Sequence, residues 1–98
     1  MRGYRLAPAA DQDIEAIALY TLEAWGEKQT ELYLSSLAEL FSKIAESPHL
    51  GRERKEIRSG IFSRNHQKHI IFYRVSGGWV DILRVLHHAR DVEGGLRD

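Results

Sequence analysis

The sequence predicts an α+β domain in which a helical hairpin covers one face of a small, mainly antiparallel sheet. Residues 9–46 carry apolar side chains at helical spacing, with a single break at Gly26. Residues 61–86 are rich in β-branched and aromatic side chains and are divided by the pair Gly77-Gly78. Helices grouped before strands favour two packed layers. The 98 residues suit one domain that spans positions 1–98.

The chain begins with an expected strand and helix. Tyr4–Leu6 should form a short N-terminal strand, and Pro8 suits the first turn of a helix, where its missing N–H is not needed. The helix should end near Trp25, because Gly26 is a stop signal. Its apolar face is predicted from five positions at helical spacing: Ala10, Ile14, Ile17, Thr21 and Ala24.

A second helix should run from about Glu27 to Glu46, and Ser47-Pro48 should end it. Only one or two residues connect it to the first helix, which predicts an antiparallel hairpin. One apolar stripe should face the sheet, and it consists of Tyr33, Leu37, Leu40, Phe41 and Ile44.

The C-terminal half predicts a three-stranded antiparallel meander that completes the sheet. Residues 49–60 are polar and basic, and we expect them to form a loop. Ser76-Gly77-Gly78 should form a tight turn, because glycine tolerates the positive φ angles that hairpins require. We expect Ile71 or Phe72 to be fully buried at the centre of the sheet. The predicted strands are Ile61–Asn65, His69–Val75 and Trp79–Leu86.

Composition excludes several classes of protein. An apolar fraction of 43% and a charged fraction of 29% are typical of a globular domain and not of a disordered chain. The absence of cysteine excludes disulfides, thiolate zinc sites and cysteine nucleophiles. No apolar run is long enough to cross a membrane, and the first residues lack the apolar stretch of a signal peptide. We therefore expect a cytoplasmic protein that does not associate with membranes.

Charge is unevenly distributed along a chain whose formal net charge is zero. Residues 9–47 contain eight acidic and two basic side chains, whereas residues 48–74 contain seven basic and two acidic ones. One interpretation is two differently solvated faces. The other is a basic surface for an acidic partner, which could present phosphate or an acidic peptide. Charge alone does not decide between them.

The histidines and strand arginines admit two interpretations. The adjacent pair His87-His88 points to opposite faces of a strand, so the two rings cannot easily share a metal, and we expect neither a metal nor another cofactor. A site that cuts RNA would need an acid, a base and cations for the phosphate. Five side chains on or near the predicted sheet could supply them: Arg64, Lys68, Arg74, Arg84 and His88. The alternative is that strand arginines pack their stems on the sheet with their heads in water. Residue types alone favour this alternative.

Four stretches of the sequence resemble the ParE toxins of bacterial toxin–antitoxin systems, within the RelE/ParE superfamily. The family's opening strand and helical hairpin are matched by "YRLAPAADQDIEAIALYTLEAWGEKQTELYLSSL" of this chain, which includes Pro8, the pair Tyr20-Thr21 and Trp25-Gly26. The family's loop is matched by "IAESPHLGRERKEIRSG" of this chain, and its two central strands are matched by "HIIFYRV" and "ILRVLH". The order and spacing of these pieces carry the resemblance over nearly the whole chain.

The resemblance implies a protein that binds partners and is not an enzyme. ParE toxins are associated with poisoning DNA gyrase, so that cleaved DNA persists and replication stalls, and a ParD-like antitoxin silences them in a hetero-oligomeric complex. The RelE branch instead cleaves mRNA on the ribosome. Two departures from the ParE pattern add cationic groups. Gln67-Lys68 stands where the family usually has glycine-serine, and the C-terminal stretch, which often continues as His-x-Arg-Met-Asp, here reads His87-His88-Ala89-Arg90-Asp91. A RelE-like ribonuclease therefore stays an alternative, as does a toxin fold that binds its antitoxin with weak or lost toxicity.

The basic segment and the resemblance together suggest where partners bind. An acidic antitoxin tail should follow the basic loop and the uncovered sheet, while an amphipathic antitoxin helix should pack beside the hairpin. The side chains expected to contact the antitoxin or the target are Arg58, Arg64, Lys68, Arg74, Arg84, His88, Arg90 and Trp25.

Overall fold

The computed structural model describes residues 3–88 and confirms the α+β prediction. In chain order the elements are β1 Gly3–Leu6, α1 Pro8–Trp25, α2 Glu27–Glu46, a 3₁₀ turn Pro48–Leu50, β2 Arg52–Glu53, β3 Phe62–His66, β4 His69–Ser76 and β5 Trp79–His87. The sheet has five strands in the order β1-β5-β4-β3-β2, with β1 parallel to β5 and every other pair antiparallel.

The strand β2 is a difference from the sequence prediction, which treated residues 49–60 as a loop. Arg52 pairs with Ser63 and Glu53 with Phe62, so the segment adds a two-residue edge to β3. Two residues are too few to show an alternating pattern, and only the tertiary pairing with β3 reveals the strand.

The two helices are joined by a single residue. Gly26 has φ 87° and ψ 175°, a conformation that glycine adopts without steric cost. Its N–H donates to the Leu22 carbonyl oxygen at 3.0 Å, and its own carbonyl oxygen accepts from the backbone N–H of Thr30 at 3.2 Å. Gly26 therefore ends α1 and begins α2, which produces the predicted antiparallel hairpin. Within the described part of the chain, neither helix is long and apolar enough to cross a membrane.

The main core lies between the helical hairpin and the sheet. Leu37, Phe41 and Ile44 of α2 are almost fully buried against inward-pointing residues of the two central strands. The Tyr4 ring of β1 packs on Phe41, with ring centroids 5.3 Å apart. The strand residues in this core are Ile71, Tyr73, Val80, Ile82 and Val85.

A second apolar cluster occupies the far face, which is the face of the sheet turned away from the helices. Phe72 lies at its centre, and the segment 54–61 folds over it through Ile57. The Arg54 guanidinium lies 5.8 Å from the Phe72 ring centroid and donates to Ser63 Oγ at 3.1 Å. The face of the sheet that the helices leave open is therefore partly covered by the basic loop itself. Ile71 and Phe72 are both fully buried, on opposite faces, which confirms the expectation for the sheet centre.

Tyr73 fastens the chain between α2 and β2 to the core. Its hydroxyl donates to the Pro48 carbonyl oxygen at 2.6 Å and accepts from the Gly51 N–H at 2.8 Å. A Cβ at residue 51 would overlap the Tyr73 hydroxyl and the Ser63 carbonyl oxygen, so the close approach requires glycine.

Truncating Ile71 to alanine should destabilise the domain by about 2–5 kcal/mol, because the side chain is fully buried between α2 and the sheet. Val75→Ala, at a position that is 43% exposed on the same strand, is the matched control and should cost far less. Urea unfolding of both variants measures the difference. Equal midpoints for the two variants would contradict the assignment of Ile71 to the core.

Candidate functional site

A groove runs between the hairpin and the end of the sheet, and we call it the hairpin groove. Its volume is about 900 Å³. Aromatic and imidazole rings from four elements line it, together with one lysine from the turn between β3 and β4. These side chains are Tyr20, Trp25, Tyr33, Lys68, His69 and His87.

The groove exists because β1 is shorter than β5. β1 pairs only with Trp79–Ile82, and the chain then leaves the sheet as the Ala7 N–H donates to the Ile82 carbonyl oxygen at 2.9 Å. Beyond Ile82, α1 and not another strand lies beside β5. This leaves room between the helix and the strand edge for the groove.

Asp13 on α1 takes the place of a strand partner at this edge. Its carboxylate accepts from the Val85 N–H at 2.9 Å. The same carboxylate binds the Arg84 guanidinium with two bonds, of 2.8 Å from Nε and 2.9 Å from Nη2. The paired geometry is the strong form of the arginine–carboxylate interaction, so Asp13 fixes α1 against β5.

The α1 wall of the groove exposes large aromatic surface. Trp25 is 65% exposed and Tyr20 is 56% exposed. Tyrosine and tryptophan exposed beside a concave surface are typical of protein–protein contact sites, since they contribute large apolar area at a low cost in side-chain entropy. The hairpin groove therefore has the composition of a site for another macromolecule.

A row of histidines crosses the floor of the groove and the adjacent turn. The register pairs His66 with His69 and His69 with His87, on three neighbouring strands. Tyr33 Oη lies 2.5 Å from His69 Nδ1, and Ser36 Oγ lies 2.8 Å from His66 Nε2. Two residues of α2 thus bind the turn between β3 and β4 to the helical layer.

Burial affects the ionisation of this row. It raises the pKa of Tyr33 to about 12, so the phenol stays neutral and cannot act as a base near pH 7. It lowers the pKa of His66, which favours the neutral imidazole in the folded protein. Among residues 3–88, no three histidine, aspartate or glutamate side chains are placed to hold a metal ion together.

The residues selected from the sequence do not form one surface. Trp25 and Lys68 line the hairpin groove. Arg58 is exposed in the loop over the far face, and His88 is exposed in a turn where its N–H donates to the Lys68 carbonyl oxygen at 2.8 Å. Arg90 lies outside the described residues.

The three strand arginines point in different directions. Arg64 pairs in register with Ile71, which places it on the helix-facing side, where it donates to the Leu50 carbonyl oxygen at 3.1 Å. Arg74 lies on the far face with Nε 3.8 Å from Asp81 Oδ2, and Arg84 is bound to Asp13. Their roles in partner binding stay predictions.

Sequence reasoning did not select several residues that line the groove. Tyr20, Tyr33 and His69 were expected only as parts of helices or strands, and His87 was considered beside His88 as a metal ligand. The sequence did contain one indication of this row. His66, His69 and His87 are separated by two tight turns, and the register of the three strands then places the histidines side by side.

Comparison with known proteins places the chain among toxins. Residues 4–92 match the family model described as ParE toxin of type II toxin-antitoxin system, parDE. The chain is 40% identical over 94 residues to "Toxin ParE1" of Mycobacterium tuberculosis strain H37Rv, covering 95% of this chain and 96% of the relative. It is 34% identical over 96 residues to "Toxin ParE1" of Caulobacter vibrioides, covering 98% and 99%.

Solved structures share the fold at lower identity. A chain of the chromosomal ParDE system from P. aeruginosa superposes with a TM-score of 0.76 at 18% identity, covering 89% of this chain and 96% of the other. A chain of the RelBE2 toxin-antitoxin complex from Mycobacterium tuberculosis superposes with a TM-score of 0.60 at 23% identity, covering 87% and 98%. These two likenesses establish the arrangement of helices and strands.

The lowered pKa of His66 predicts a dependence of stability on pH. The unfolded state binds the proton more tightly, so stability should be highest above the ordinary histidine pKa of about 6.5 and should decrease as the pH falls below it. His66→Gln should reduce the loss of stability between pH 7.5 and pH 5.5, as measured by urea unfolding at both values. His49→Gln, at an exposed position, should leave that loss unchanged. An undiminished loss in His66→Gln would contradict the assignment.

Proposed function

Because this chain belongs to the ParE toxin family of type II toxin–antitoxin systems, we propose that it poisons DNA gyrase and is neutralised by a ParD-like antitoxin. The observation that carries this proposal is the match over residues 4–92, together with relatives called Toxin ParE1 that align along nearly their whole length. Gyrase acts on DNA in the bacterial cytoplasm, so the proposal places the protein there.

The hairpin groove is the proposed antitoxin site. The two solved relatives come from a ParDE system and from a RelBE2 toxin-antitoxin complex. A helix of the antitoxin would lay an apolar face on the exposed rings of Tyr20 and Trp25, as amphipathic helices do in apolar grooves. Acidic residues of the same partner would meet Lys68 and the basic loop around Arg58, where they speed encounter more than they strengthen binding. The product is a hetero-oligomeric complex.

We propose that the protein is not a nuclease. His88 is the C-terminal histidine on which a RelE-like mechanism would depend. In the described part of the chain, no tyrosine or carboxylate side chain is hydrogen-bonded to the His88 ring. Tyr33, the tyrosine beside the row of histidines, instead contacts His69. Its pKa of about 12 prevents it from accepting a proton near neutrality.

Cleavage of mRNA on the ribosome is the second candidate function. One observation favours it: His69, His87 and Lys68 lie together in the groove and could supply an acid and a cation for a phosphate. A toxin fold that binds its antitoxin without toxicity is a third possibility, and the next experiment separates all three.

Purified protein added to gyrase and plasmid DNA should inhibit supercoiling and accumulate cleaved DNA. The same protein added to translating ribosomes should leave mRNA intact, with His88→Ala indistinguishable from wild type. Cleavage of mRNA by wild type would favour the ribonuclease instead, and a reduction of ~10²–10⁴-fold in His88→Ala would assign His88 as its acid or base. Activity in neither assay would favour the third possibility.

Trp25→Ala should weaken binding of the antitoxin encoded beside this toxin by about 30-fold or more, because an aromatic anchor that becomes buried typically contributes ~2 kcal/mol or more. Leu32→Ala is the matched control. Leu32 is 56% exposed on α2 and does not line the groove, so its truncation should change affinity little. Titration calorimetry of both variants measures the effect. Equal affinities would place the antitoxin elsewhere on the toxin.

A further inference from the structure

We propose that the far face of the sheet carries a second binding site, in which Arg5 and Arg74 hold the phosphodiester backbone of DNA. This site lies across the sheet from the hairpin groove, on β1, β5 and β4. It goes beyond the proposed toxin function, and it holds whichever macromolecule is the target of toxicity.

The site consists of two guanidinium groups that share one carboxylate. Asp81 Oδ1 accepts from Arg5 Nε at 2.8 Å, and Asp81 Oδ2 lies 3.8 Å from Arg74 Nε. The Asp81 side chain is 16% exposed, whereas those of Arg5 and Arg74 are 49% and 54% exposed. One carboxylate cannot neutralise two guanidinium groups, so the cluster keeps a net charge of +1 at its solvent side.

Arg5 is oriented before a ligand arrives, and Arg74 lies within ion-pair distance of the same carboxylate. The Arg5 guanidinium lies 5.1 Å from the Trp79 ring centroid, a contact that limits its rotation. Asp81 meets each guanidinium through Nε, and a guanidinium has five N–H donors in a fixed fork. The terminal nitrogens of both groups can therefore serve a second anion, and arginine matches phosphate by paired hydrogen bonds.

The register places this cluster on the far face. Arg5 and Arg74 are both the register partners of Asp81. The neighbouring positions, Val80 and Ile82, point into the core between sheet and helices. Because successive strand residues alternate between faces, Asp81 and its two partners point the other way.

Charge is separated between the two layers of the molecule. The helical hairpin, residues 8–46, contains eight acidic and two basic side chains. The far-face cluster together with residues 52–60 contains six basic and three acidic ones, a net charge of +3. A polyanion would consequently be attracted to the far face and repelled by the hairpin.

Exposed apolar residues favour DNA over an acidic peptide as the ligand. Protein partners obtain most of their affinity from apolar anchors. All the exposed large apolar side chains among residues 3–88 lie on α1, α2 and the 3₁₀ turn, or on the strand positions Leu6 and Val75. The register pairs Leu6 with Ile82 and Val75 with Val80, which places both on the helix-facing side. Nucleic-acid backbones are bound by cations through release of counterions and need no such anchor. Duplex DNA releases more counterions per phosphate contact than a single strand does, so the far face suits DNA.

The experiment compares two double variants that remove the same charge from opposite layers. Arg5→Gln/Arg74→Gln changes the far face, and Lys28→Gln/Lys43→Gln changes the hairpin. Fluorescence anisotropy measures binding of the full chain to a labelled DNA duplex of about 20 base pairs between 50 and 200 mM salt. Each lost phosphate contact reduces the slope of log K against log[salt] by about 0.9. Between 50 and 200 mM salt, the far-face variant should therefore lose about tenfold less affinity for DNA than wild type loses, because two contacts are missing. The hairpin variant should lose as much affinity as wild type.

Three results would overturn the proposal: no DNA binding by wild type at low salt, equal loss in both double variants, or competition by polyglutamate as effective as that by unlabelled DNA. The last result would mean that the far face recognises the carboxylates of a protein partner. Urea unfolding checks that the variants are folded. If the far-face double variant is not folded, the single variant Arg74→Gln, at the more exposed arginine, replaces it. Supercoiling is not measured, so failure of this proposal is separable from failure of the gyrase proposal.

Discussion

The carboxylate of Asp13 joins the two layers of this molecule at the point where the sheet lacks a strand. β1 stops at Leu6, which leaves the edge of β5 without a neighbour from Leu83 onward, and Asp13 then receives the Val85 N–H and the Arg84 guanidinium. Hydrogen bonds to a charged group contribute about 1.5–3 kcal/mol each, a substantial share of the stability of a domain this small. The position of α1 relative to β5, and hence the width of the hairpin groove, depends on these bonds.

Local rules account for most of the fold. Gly26 ends one helix and begins the next at the position that sequence reasoning predicted, because positive φ at a one-residue connection favours glycine. The hairpin β4–β5 likewise turns at Gly77 and Gly78, both with positive φ. The sequence could not predict the parallel pairing of β1 with β5 or the two-residue β2, since both depend on contacts between distant parts of the chain.

The candidate site was less predictable for a related reason. Asp13 is an ordinary acid near the start of a helix when read locally, and its partners lie more than seventy residues away. Arg64, Arg74 and Arg84 lie on three successive strands, yet they point in three directions, because strand residues alternate between faces and β5 contains a register shift opposite Phe72 and Tyr73. Trp25 and Lys68, two of the partner contacts expected from the sequence, both line the groove, and their roles in binding stay predictions.

The separation of two surfaces has a consequence for how an antitoxin could act. The hairpin groove offers aromatic anchors on an acidic helical layer, whereas the proposed DNA site offers paired arginines on the opposite face of the sheet. An antitoxin seated in the groove would leave Arg5 and Arg74 uncovered, unless its chain continued around an edge of the sheet. If the antitoxin reaches the loop around Arg58 without covering Arg5 and Arg74, a neutralised toxin keeps affinity for DNA, and neutralisation acts on the contact with the target enzyme. An antitoxin that also covers the far face would need an acidic segment long enough to pass β2 or β1, and that segment would compete with DNA for the same guanidinium groups.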